Sequence, residues 1–266
     1  MFQKSERLRN LERGDFTNLA DDYAKYRPSY NQGVVELIVS FVQKSPNHIR
    51  AADVGAGTGI FTNCLSKTGL QDLVAVEPNE DMRKAGSNFL GGKLNFLPGN
   101  AENTGLDSAS FDLVTMASSF HWPKTSEALR EFDRILVPGG VFSAIWNPRL
   151  VERSASESEI QKLLLTKYNV KNRVSSGLSG ITEELREILT DCQIFESVVY
   201  LDALNIVQRT HEEYIGAWRS VNDIQAQLGK VKFGEFIQDV EKIIIKRPTV
   251  EVHYLTRAWV ARKRRQ

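Results

Sequence analysis

The stretch 51–61 reads AADVGAGTGIF, a short apolar run followed by glycines at every second position. Gly55, Gly57 and Gly59 lack a Cβ, so a ligand can approach the backbone of this loop closely. The apolar run is typical of a buried strand, and the residues after the loop have the pattern of a helix. A glycine-rich turn from a strand into a helix presents backbone N–H groups to a ligand. We therefore predict a ligand-binding loop here.

The spacing of these glycines does not match the dinucleotide fingerprint G-x-G-x-x-G. In that motif the third glycine follows the second by three residues, and here Ile60 holds that position. Two neighbouring features nevertheless indicate a nucleoside ligand. Glu77 ends the predicted second strand, where a carboxylate can accept hydrogen bonds from both ribose hydroxyls. The segment GNAENTGL at 99–106 follows the third strand, where a backbone N–H and a short polar side chain can contact an adenine edge.

Short apolar runs alternate with amphipathic segments as far as residue 147. Strands are predicted at 49–54, 72–77, 93–99, 111–118 and 141–147, and helices at 33–42, 61–69, 79–90 and 125–136. We expect Asn79 to cap the third of these helices, and Thr125 or Ser126 to cap the fourth. Such alternation requires right-handed crossovers and produces a parallel sheet covered by helices on both faces.

Beyond residue 148 this alternation changes. Helices are predicted at 157–169, 181–190, 211–221 and 231–246, strands at 195–209 and 250–262, and a turn-rich segment at 171–180. The simplest organisation is a single domain in three segments. These are an N-terminal arm with the first helix at 1–45, a ligand-binding core at 46–150, and the remaining strands with a helical lid at 151–266.

The composition is that of a soluble globular protein, since 41% of the 266 residues are hydrophobic and 25% are charged. With a net charge of +1, electrostatics gives no reason to expect nucleic acid or a membrane surface as the main partner. The basic run at 262–265 is interpreted as a solvated tail.

Cys64 and Cys192 are far apart and match neither a disulfide framework nor a metal-ligand pattern, so we expect two reduced thiols and no bound metal. The charged N-terminus, MFQKSERLRNLERGDF, is unlike a secretory signal. No apolar run approaches the roughly 20 residues that a membrane helix needs. We predict a cytoplasmic protein with no membrane anchor, either a monomer or a homodimer.

The segment from about 50 to 147 resembles the class I S-adenosylmethionine-dependent methyltransferases. The first motif of that family, acidic-x-Gly-x-Gly-x-Gly, is matched by 53–59, and its acidic second-strand end by Glu77. An Asp-Ala-Glu segment is matched by Asn-Ala-Glu at 100–102, and the turn with the fifth strand by LVPGGVFSAIWN at 136–147. The resemblance implies an α/β fold, a Rossmann-like sandwich with a mostly parallel sheet, an antiparallel last strand and a helical lid.

The same resemblance implies S-adenosyl-L-methionine as the cofactor. The glycine loop is expected under its methionine half, with Asp53 orienting the ammonium end or the loop, and Glu77 binding the ribose. The side-chain carbonyl of Asn100 is expected to accept from the adenine amino group, while Ala101 donates its backbone N–H to the ring. The predicted cofactor-binding residues are Tyr23, Arg27, Asp53, Gly55, Ala56, Gly57, Gly59, Glu77, Pro78, Asn100, Ala101, Ser118 and Phe120.

Structural roles are the alternatives for several of these residues. Asp53 can instead cap local N–H groups, and Pro78 and Phe120 can pack rather than line the adenine. Arg27 can pair with a carboxylate of cofactor or substrate, or belong to a rigid Arg-Pro turn. Arg149, Arg173 and Arg219 are further candidates for an anionic substrate.

Three stretches resemble small-molecule methyltransferases of the trans-aconitate methyltransferase type. They are the arm ADDYAKYRPSY at 20–30, SSFHW at 118–122 and the closing VHYLTRAWVARK at 252–263. His121 is the candidate catalytic residue, because an imidazole at the end of the fourth strand can take a proton from a hydroxyl or an amine. The alternative is that His121 and Trp122 form an aromatic wall. A carboxylate substrate is ionised at pH 7 and needs no base.

We predict an S-adenosylmethionine-dependent methyltransferase acting on a small molecule, with O-methylation, for example of a carboxylate, as the favoured chemistry. One alternative is a nicotinamide-dependent oxidoreductase on a Rossmann fold. The position of Ile60 and the lack of an obvious Tyr-x-x-x-Lys pair argue against it. A second alternative is a protein that binds S-adenosylmethionine without catalysis.

Overall fold

The computed structural model describes residues 25–170 and 180–265, which divide into two units. The core unit consists of the described residues within 29–147, 176–203 and 256–266, and the helical unit of those within 1–28, 148–175 and 204–255. The three segments predicted from the sequence are continuous stretches of chain, whereas each unit combines several separate stretches. The division into three segments therefore stays a prediction.

Seven strands in the described part of the chain form one sheet. They are β1 Arg50–Val54, β2 Asp72–Val76, β3 Asn95–Leu97, β4 Phe111–Ala117, β5 Leu136–Trp146, β6 Phe195–Arg209 and β7 Val250–Lys263. Their order is β3-β2-β1-β4-β5-β7-β6. The strands β1 to β5 pair in parallel, and β7 runs antiparallel to β5. The predicted mostly parallel sheet with an antiparallel last strand is confirmed.

Eight α-helices occur within the described ranges. They are α1 Gln32–Ser40, α2 Ile60–Ser66, α3 Glu80–Phe89, α4 Thr125–Ile135, α5 Ala155–Thr166, α6 Ile181–Asp191, α7 His211–Arg219 and α8 Asn222–Ile244. A non-helical Gly229 divides α8. No helix in 25–170 or 180–265 has the length and apolar character needed to cross a membrane.

Helix capping follows the sequence at α3 but not at α4. The Asn79 side chain caps α3 by accepting from the Met82 N–H, as predicted. Neither Thr125 nor Ser126 caps α4, so that prediction is wrong: the N-cap is Lys124, which makes no side-chain capping bond. Its backbone N–H instead donates to a Glu102 carboxylate oxygen at 3.0 Å, so a tertiary contact fixes the start of this helix.

Several further features differ from the prediction. The helix predicted at 231–246 is part of α8, which begins at Asn222. Strand β5 begins at Leu136 rather than 141, because Leu136 pairs with Phe111 across a register shift in β4. The basic run at 262–265 is not entirely a solvated tail. Lys263 ends β7, and the Arg262 guanidinium donates to the Gly139 carbonyl at 2.9 Å.

Apolar side chains cover both faces of the sheet in the core unit. On one face Val54 and Val114 pack with residues of α4 and α6, and on the other Ala51 and Leu113 pack with residues of α1 and α2. All four strand residues are fully buried. Burial on both faces explains why the central strands have continuous apolar sequences. The polar residues that follow these strands lie at the carboxyl edge of the sheet, where open α/β sheets bind ligands.

The helical unit has its own apolar cluster, built from α5, α7, α8 and the first half of β7. An ion pair lies within it, with the Glu157 side chain 3% and the Arg149 side chain 20% exposed: Arg149 Nη1 is 3.4 Å from both carboxylate oxygens of Glu157. The Tyr214 hydroxyl donates to Glu157 at 2.6 Å, and the guanidinium carbon is 4.8 Å from the Trp218 ring centroid. Arg149 was a candidate for an anionic substrate, and the structure instead pairs it with Glu157.

Replacement of Glu157 by alanine is expected to lower the free energy of unfolding by about 3–5 kcal/mol, because it leaves the Arg149 guanidinium buried without its counter-charge. Urea unfolding followed by circular dichroism measures this. Glu159, exposed on the same helix, supplies the control variant Glu159→Ala, which should change stability little. Equal stabilities of the two variants would contradict the prediction.

Candidate functional site

The glycine loop joins β1 to α2 and is anchored to the end of β2. The backbone N–H groups of Gly55 and Ala56 donate to the Val76 carbonyl at 2.8 and 3.1 Å. Gly57 has a φ of +57°, and among the described residues, its two chain neighbours aside, no heavy atom lies within 4 Å of the position that a Cβ would occupy there. Backbone at this residue therefore borders open space, as a ligand-binding loop requires.

Glu77 lies directly after β2 and is oriented by two backbone groups. One carboxylate oxygen accepts from the Gly57 N–H and the other from the Asn79 N–H, both at 2.9 Å. The residue is 8% exposed, and burial raises the pKa of its carboxyl, although the two N–H donors oppose that shift. Each oxygen keeps one lone pair, so the carboxylate can accept two more hydrogen bonds from a ligand.

Asp53 is fully buried below the loop. Its two carboxylate oxygens accept from the hydroxyls of Thr62 in α2, at 2.6 Å, and Thr115 in β4, at 3.0 Å. These bonds join β1 to the helix after the loop and to the neighbouring strand. The geometry supports the part of the prediction in which Asp53 orients the loop. Its partners are side-chain hydroxyls rather than local N–H groups.

The buried carboxyl of Asp53 is expected to make the free energy of unfolding depend on pH. Burial raises the pKa of its carboxyl from the ordinary 3.8 to about 7. The folded state then binds the proton more tightly than the unfolded state, so this group stabilises the fold below pH 4 and that contribution is lost as the pH rises through 7. The difference of about three pH units corresponds to about 4 kcal/mol.

The measurement is the free energy of unfolding from pH 4 to 8 for the wild type and Asp53→Asn. Because asparagine does not titrate, the stability of the wild type relative to the variant should fall across this range. A constant difference between the two proteins would show that the carboxyl titrates alike in both states.

The loop after β3 is a tight turn in which the predicted adenine-contacting residues lie. Asn100 and Asn103 exchange backbone hydrogen bonds at 3.1 and 3.3 Å. The side-chain oxygen of Asn100 also accepts from the Asn103 N–H, at 2.8 Å. Ala101 is buried, and its N–H donates to no group in the described ranges. A ligand acceptor such as a purine ring nitrogen can satisfy that N–H.

A buried carboxylate of α4 holds this turn in place. One oxygen of Glu131 accepts from both the backbone N–H, at 2.8 Å, and the hydroxyl of Thr104. Arg134 donates to both oxygens of Glu131 and to the Leu106 carbonyl. The segment 99–106 is therefore fixed to the helix.

The end of β4 contributes a strained residue and an aromatic contact. Ser118 has a φ of 52°, in a region that few non-glycine residues adopt. Its hydroxyl is 2.8 Å from the Tyr30 hydroxyl, and the Tyr30 ring packs edge-on against Phe61 at 5.0 Å. Backbone strain of this kind is found often at functional sites. Tyr30 thus joins the predicted site residue Ser118 to the first turn of α2.

His121 is held as a neutral imidazole. The Trp146 indole N–H donates to its Nδ1 at 3.4 Å, and the ring centroid of Trp122 is 4.4 Å away. Burial lowers the pKa of His121 to about 4. With Nδ1 acting as an acceptor, the proton resides on Nε2, so this side chain offers a hydrogen-bond donor at pH 7. The geometry supports the aromatic wall better than the general base, which stays a prediction.

The remaining predicted residues separate into three groups. Pro78 is exposed beside Glu77, whereas Phe120 is fully buried and packs against Phe142 at 5.2 Å, which supports its packing role. Arg27 lies in the helical unit, where its guanidinium donates to the Ser220 hydroxyl and carbonyl at 3.1 and 3.2 Å. Tyr23 and Arg173 lie outside the described residues.

Several residues at the site are not among those that the sequence predicts. Thr62 and Thr115 bind Asp53, Glu131 fixes the turn after β3, and Trp146 orients His121. Glu131 lies on an otherwise apolar face of α4, and this position was the one available signal in the sequence. Charged residues are rarely buried without a partner, so a glutamate there indicates a polar contact.

Residues 52–144 match a family model described as a methyltransferase domain. An uncharacterized methyltransferase of Mycobacterium tuberculosis (strain H37Rv) is 34% identical over 134 residues, which are 50% of this chain and 52% of the relative. A ubiquinone/menaquinone biosynthesis C-methyltransferase of Methylobacterium nodulans is 38% identical over 101 residues, 35% of this chain and 40% of that protein. The chain spans about half the length of the curated relatives it first matches.

A solved structure from Anaeromyxobacter dehalogenans, described as a candidate type II methyltransferase, is similar across nearly the whole chain. It has a TM-score of 0.64 at 17% identity and covers 90% of this chain and 98% of the other. At this identity the likeness shows the fold alone. The fold is therefore a Rossmann-like α/β sandwich with a mostly parallel sheet.

Proposed function

We propose that this protein is an S-adenosylmethionine-dependent methyltransferase that acts on a small molecule. The observation that carries the proposal is the Glu77 carboxylate, buried at the sheet edge and oriented by the Gly57 and Asn79 N–H groups. The methyltransferase-domain match over 52–144 includes this residue and the glycine loop.

The residues of the site fit the proposed cofactor. The two remaining lone pairs of Glu77 suit a ribose diol, and the Ala101 N–H suits a ring nitrogen of adenine. The open space at Gly57 lies where the methionine half is expected. These three features belong to the ends of three adjacent strands, β1, β2 and β3.

When bound, S-adenosylmethionine supplies an electrophilic methyl group on a positively charged sulfur. The residues of this chain align the reacting atoms and exclude water. Ser118, predicted to bind the cofactor, and His121 both follow β4, at the sheet edge where the acceptor molecule is expected, and we propose that His121 contacts that molecule. Neutral His121 can donate from Nε2 to an oxygen of that molecule, and its low pKa makes it a weak base.

A weak base favours acceptors that are nucleophilic without help. A carboxylate is ionised at neutral pH, so O-methylation of a small carboxylic acid is the chemistry we propose first. The resemblance of 20–30 and 118–122 to the trans-aconitate methyltransferase type supports the same choice. Monomer or homodimer assembly and a cytoplasmic location stay predictions from the sequence.

Methylation at carbon is the second candidate. It is favoured by the similarity to the C-methyltransferase of Methylobacterium nodulans, which is 38% identical over a segment that makes up 35% of this chain. An electron-rich ring carbon attacks the methyl group while it still carries its hydrogen, and that proton then leaves to water, whereas a carboxylate releases no proton.

Calorimetric titration with S-adenosylhomocysteine, and in parallel with NADH and NADPH, tests the cofactor. We expect S-adenosylhomocysteine to bind and neither NADH nor NADPH to bind. Binding of a nicotinamide alone would establish the oxidoreductase alternative. Transfer of labelled methyl groups to a panel of small carboxylic acids and quinols then tests the acceptor, and cofactor binding without transfer to any compound would favour the non-catalytic alternative.

A further inference from the structure

We propose that two copies of this protein associate face to face through a groove between α7 and α8 of the helical unit. The groove has a volume of about 350 Å³. One face of α7 forms its first wall, and the last turn of α8 with Ile245 forms the second. None of the lining residues is among those predicted to bind the cofactor, so the inference does not depend on the proposed function.

The lining of the groove includes buried and exposed isoleucines side by side. Ile215 and Ile244 are 5% and 1% exposed, whereas Ile245 is 72% exposed. Removal of such an aliphatic side chain from water is favourable. A facing copy that places its own Ile245 against this groove therefore buries apolar surface on both sides of the contact.

Two opposite charges of the lining have no counter-charge in their own chain. The side chains of Arg219 on α7 and Glu241 on α8 are exposed and form no ion pair or hydrogen bond within 25–170 and 180–265. Glu212, the other acid of the lining, differs from them. It pairs with Lys25 at 3.6 Å and accepts from the Tyr26 hydroxyl at 3.3 Å. A cation on one wall and an anion on the other are thus available to a second copy.

These two charges lie at the same end of the groove. Helix α8 follows α7 after a short connection, and its end returns to the start of α7, where His211 Nε2 is 2.7 Å from the Arg247 carbonyl oxygen. The two helices are therefore antiparallel. At 1.5 Å per residue, Arg219 and Glu241 both lie about 10 Å along their helices from this contact, on opposite walls.

A two-fold axis along the groove makes the surface complementary to itself. It places Arg219 of each copy opposite Glu241 of the other and brings the isoleucines of the two grooves together. Such an interface is isologous and closes at two copies, so the expected assembly is a homodimer. An apolar centre with polar residues around it is the usual composition of a protein interface. Arg219, predicted as a candidate for an anionic substrate, takes the role of an interface residue here.

Sedimentation velocity of the full chain, from about 1 to 100 μM, measures this association. The wild type should be a dimer at the upper end of the range. Ile245→Lys should weaken the dimer by at least about 10-fold, because it places a charge in the apolar centre. Val231→Lys is the matched control, since Val231 is 77% exposed on the same helix and does not line the groove. Its mass should equal that of the wild type, and thermal unfolding shows whether each variant is folded.

Charge reversal at two exposed positions tests the two-fold arrangement. Arg219→Glu and Glu241→Arg should each weaken the dimer by at least about 10-fold, since each brings like charges together at two places. The double variant exchanges the charges and should restore the wild-type affinity to within about 3-fold.

Four results would each overturn the proposal. They are a wild type that stays monomeric at about 100 μM, a folded Ile245→Lys that dimerises as the wild type does, an equal loss of dimer in Val231→Lys, and a double charge variant as weak as the single ones.

Discussion

Replacement of Glu77 by alanine should weaken the binding of S-adenosylhomocysteine by more than about 100-fold. The carboxylate is expected to accept from both ribose hydroxyls, and each hydrogen bond to a charged acceptor contributes about 1.5–3 kcal/mol. Two such bonds correspond to a factor of at least 100 in Kd. The variant also removes the acceptor of the Gly57 N–H, which loosens the loop under the methionine half.

Calorimetric titration of the wild type, Glu77→Gln and Glu77→Ala measures the effect. Glutamine keeps the size of the side chain but brings its NH₂ group against a backbone donor, so an intermediate loss is expected. Glu80→Ala is the control, because Glu80 is exposed in the next helix and pairs with Lys84 at the surface. Thermal unfolding of each protein shows whether the fold persists. Unchanged affinity in a folded Glu77→Ala would remove the principal support for the proposed cofactor site.

The second large effect separates two glycines of the same loop. Gly57→Ala should weaken cofactor binding by at least about 10-fold, because the added methyl group enters the open space that the ligand is expected to occupy. Its cost to stability is about 1–2 kcal/mol, the strain of a positive φ in a residue with a Cβ.

Gly59→Ala is expected to act on stability instead. Gly59 caps α2 with a φ of +78°, and a Cβ there would lie 2.9 Å from Phe96 Cζ and 3.1 Å from Leu90 Cδ1. Strain and overpacking together should cost about 2–5 kcal/mol of unfolding free energy.

Urea unfolding and calorimetry on both variants distinguish these roles. Gly57→Ala should lose more cofactor affinity than Gly59→Ala does. Gly59→Ala should lose more unfolding free energy than Gly57→Ala does. Equal losses in the two variants would mean that the loop fails as a unit and would give no support to a ligand at Gly57.

Local patterns predicted most elements of this chain because those elements depend on neighbouring residues. The alternation of apolar runs and amphipathic segments is sufficient for β1, β2 and β4, and Asn79 caps α3 through an N–H only three residues away. Thr125 and Ser126 have the same chemistry but do not cap α4, since Glu102 binds the backbone at the start of that helix.

In the candidate site, too, some features follow from the local sequence and others depend on contacts between distant residues. The sequence by itself determined the glycine loop, the acidic end of β2 and the strand–helix order that brings them to one edge of a parallel sheet, because spacing and periodicity act locally. Only the tertiary structure decided what the polar side chains do. Asp53 meets Thr115 from 62 residues away, and the Trp146 indole fixes the proton of His121. A hydrogen bond between residues far apart in the sequence depends on how the strands and helices pack, and a local sequence pattern contains no information about that packing.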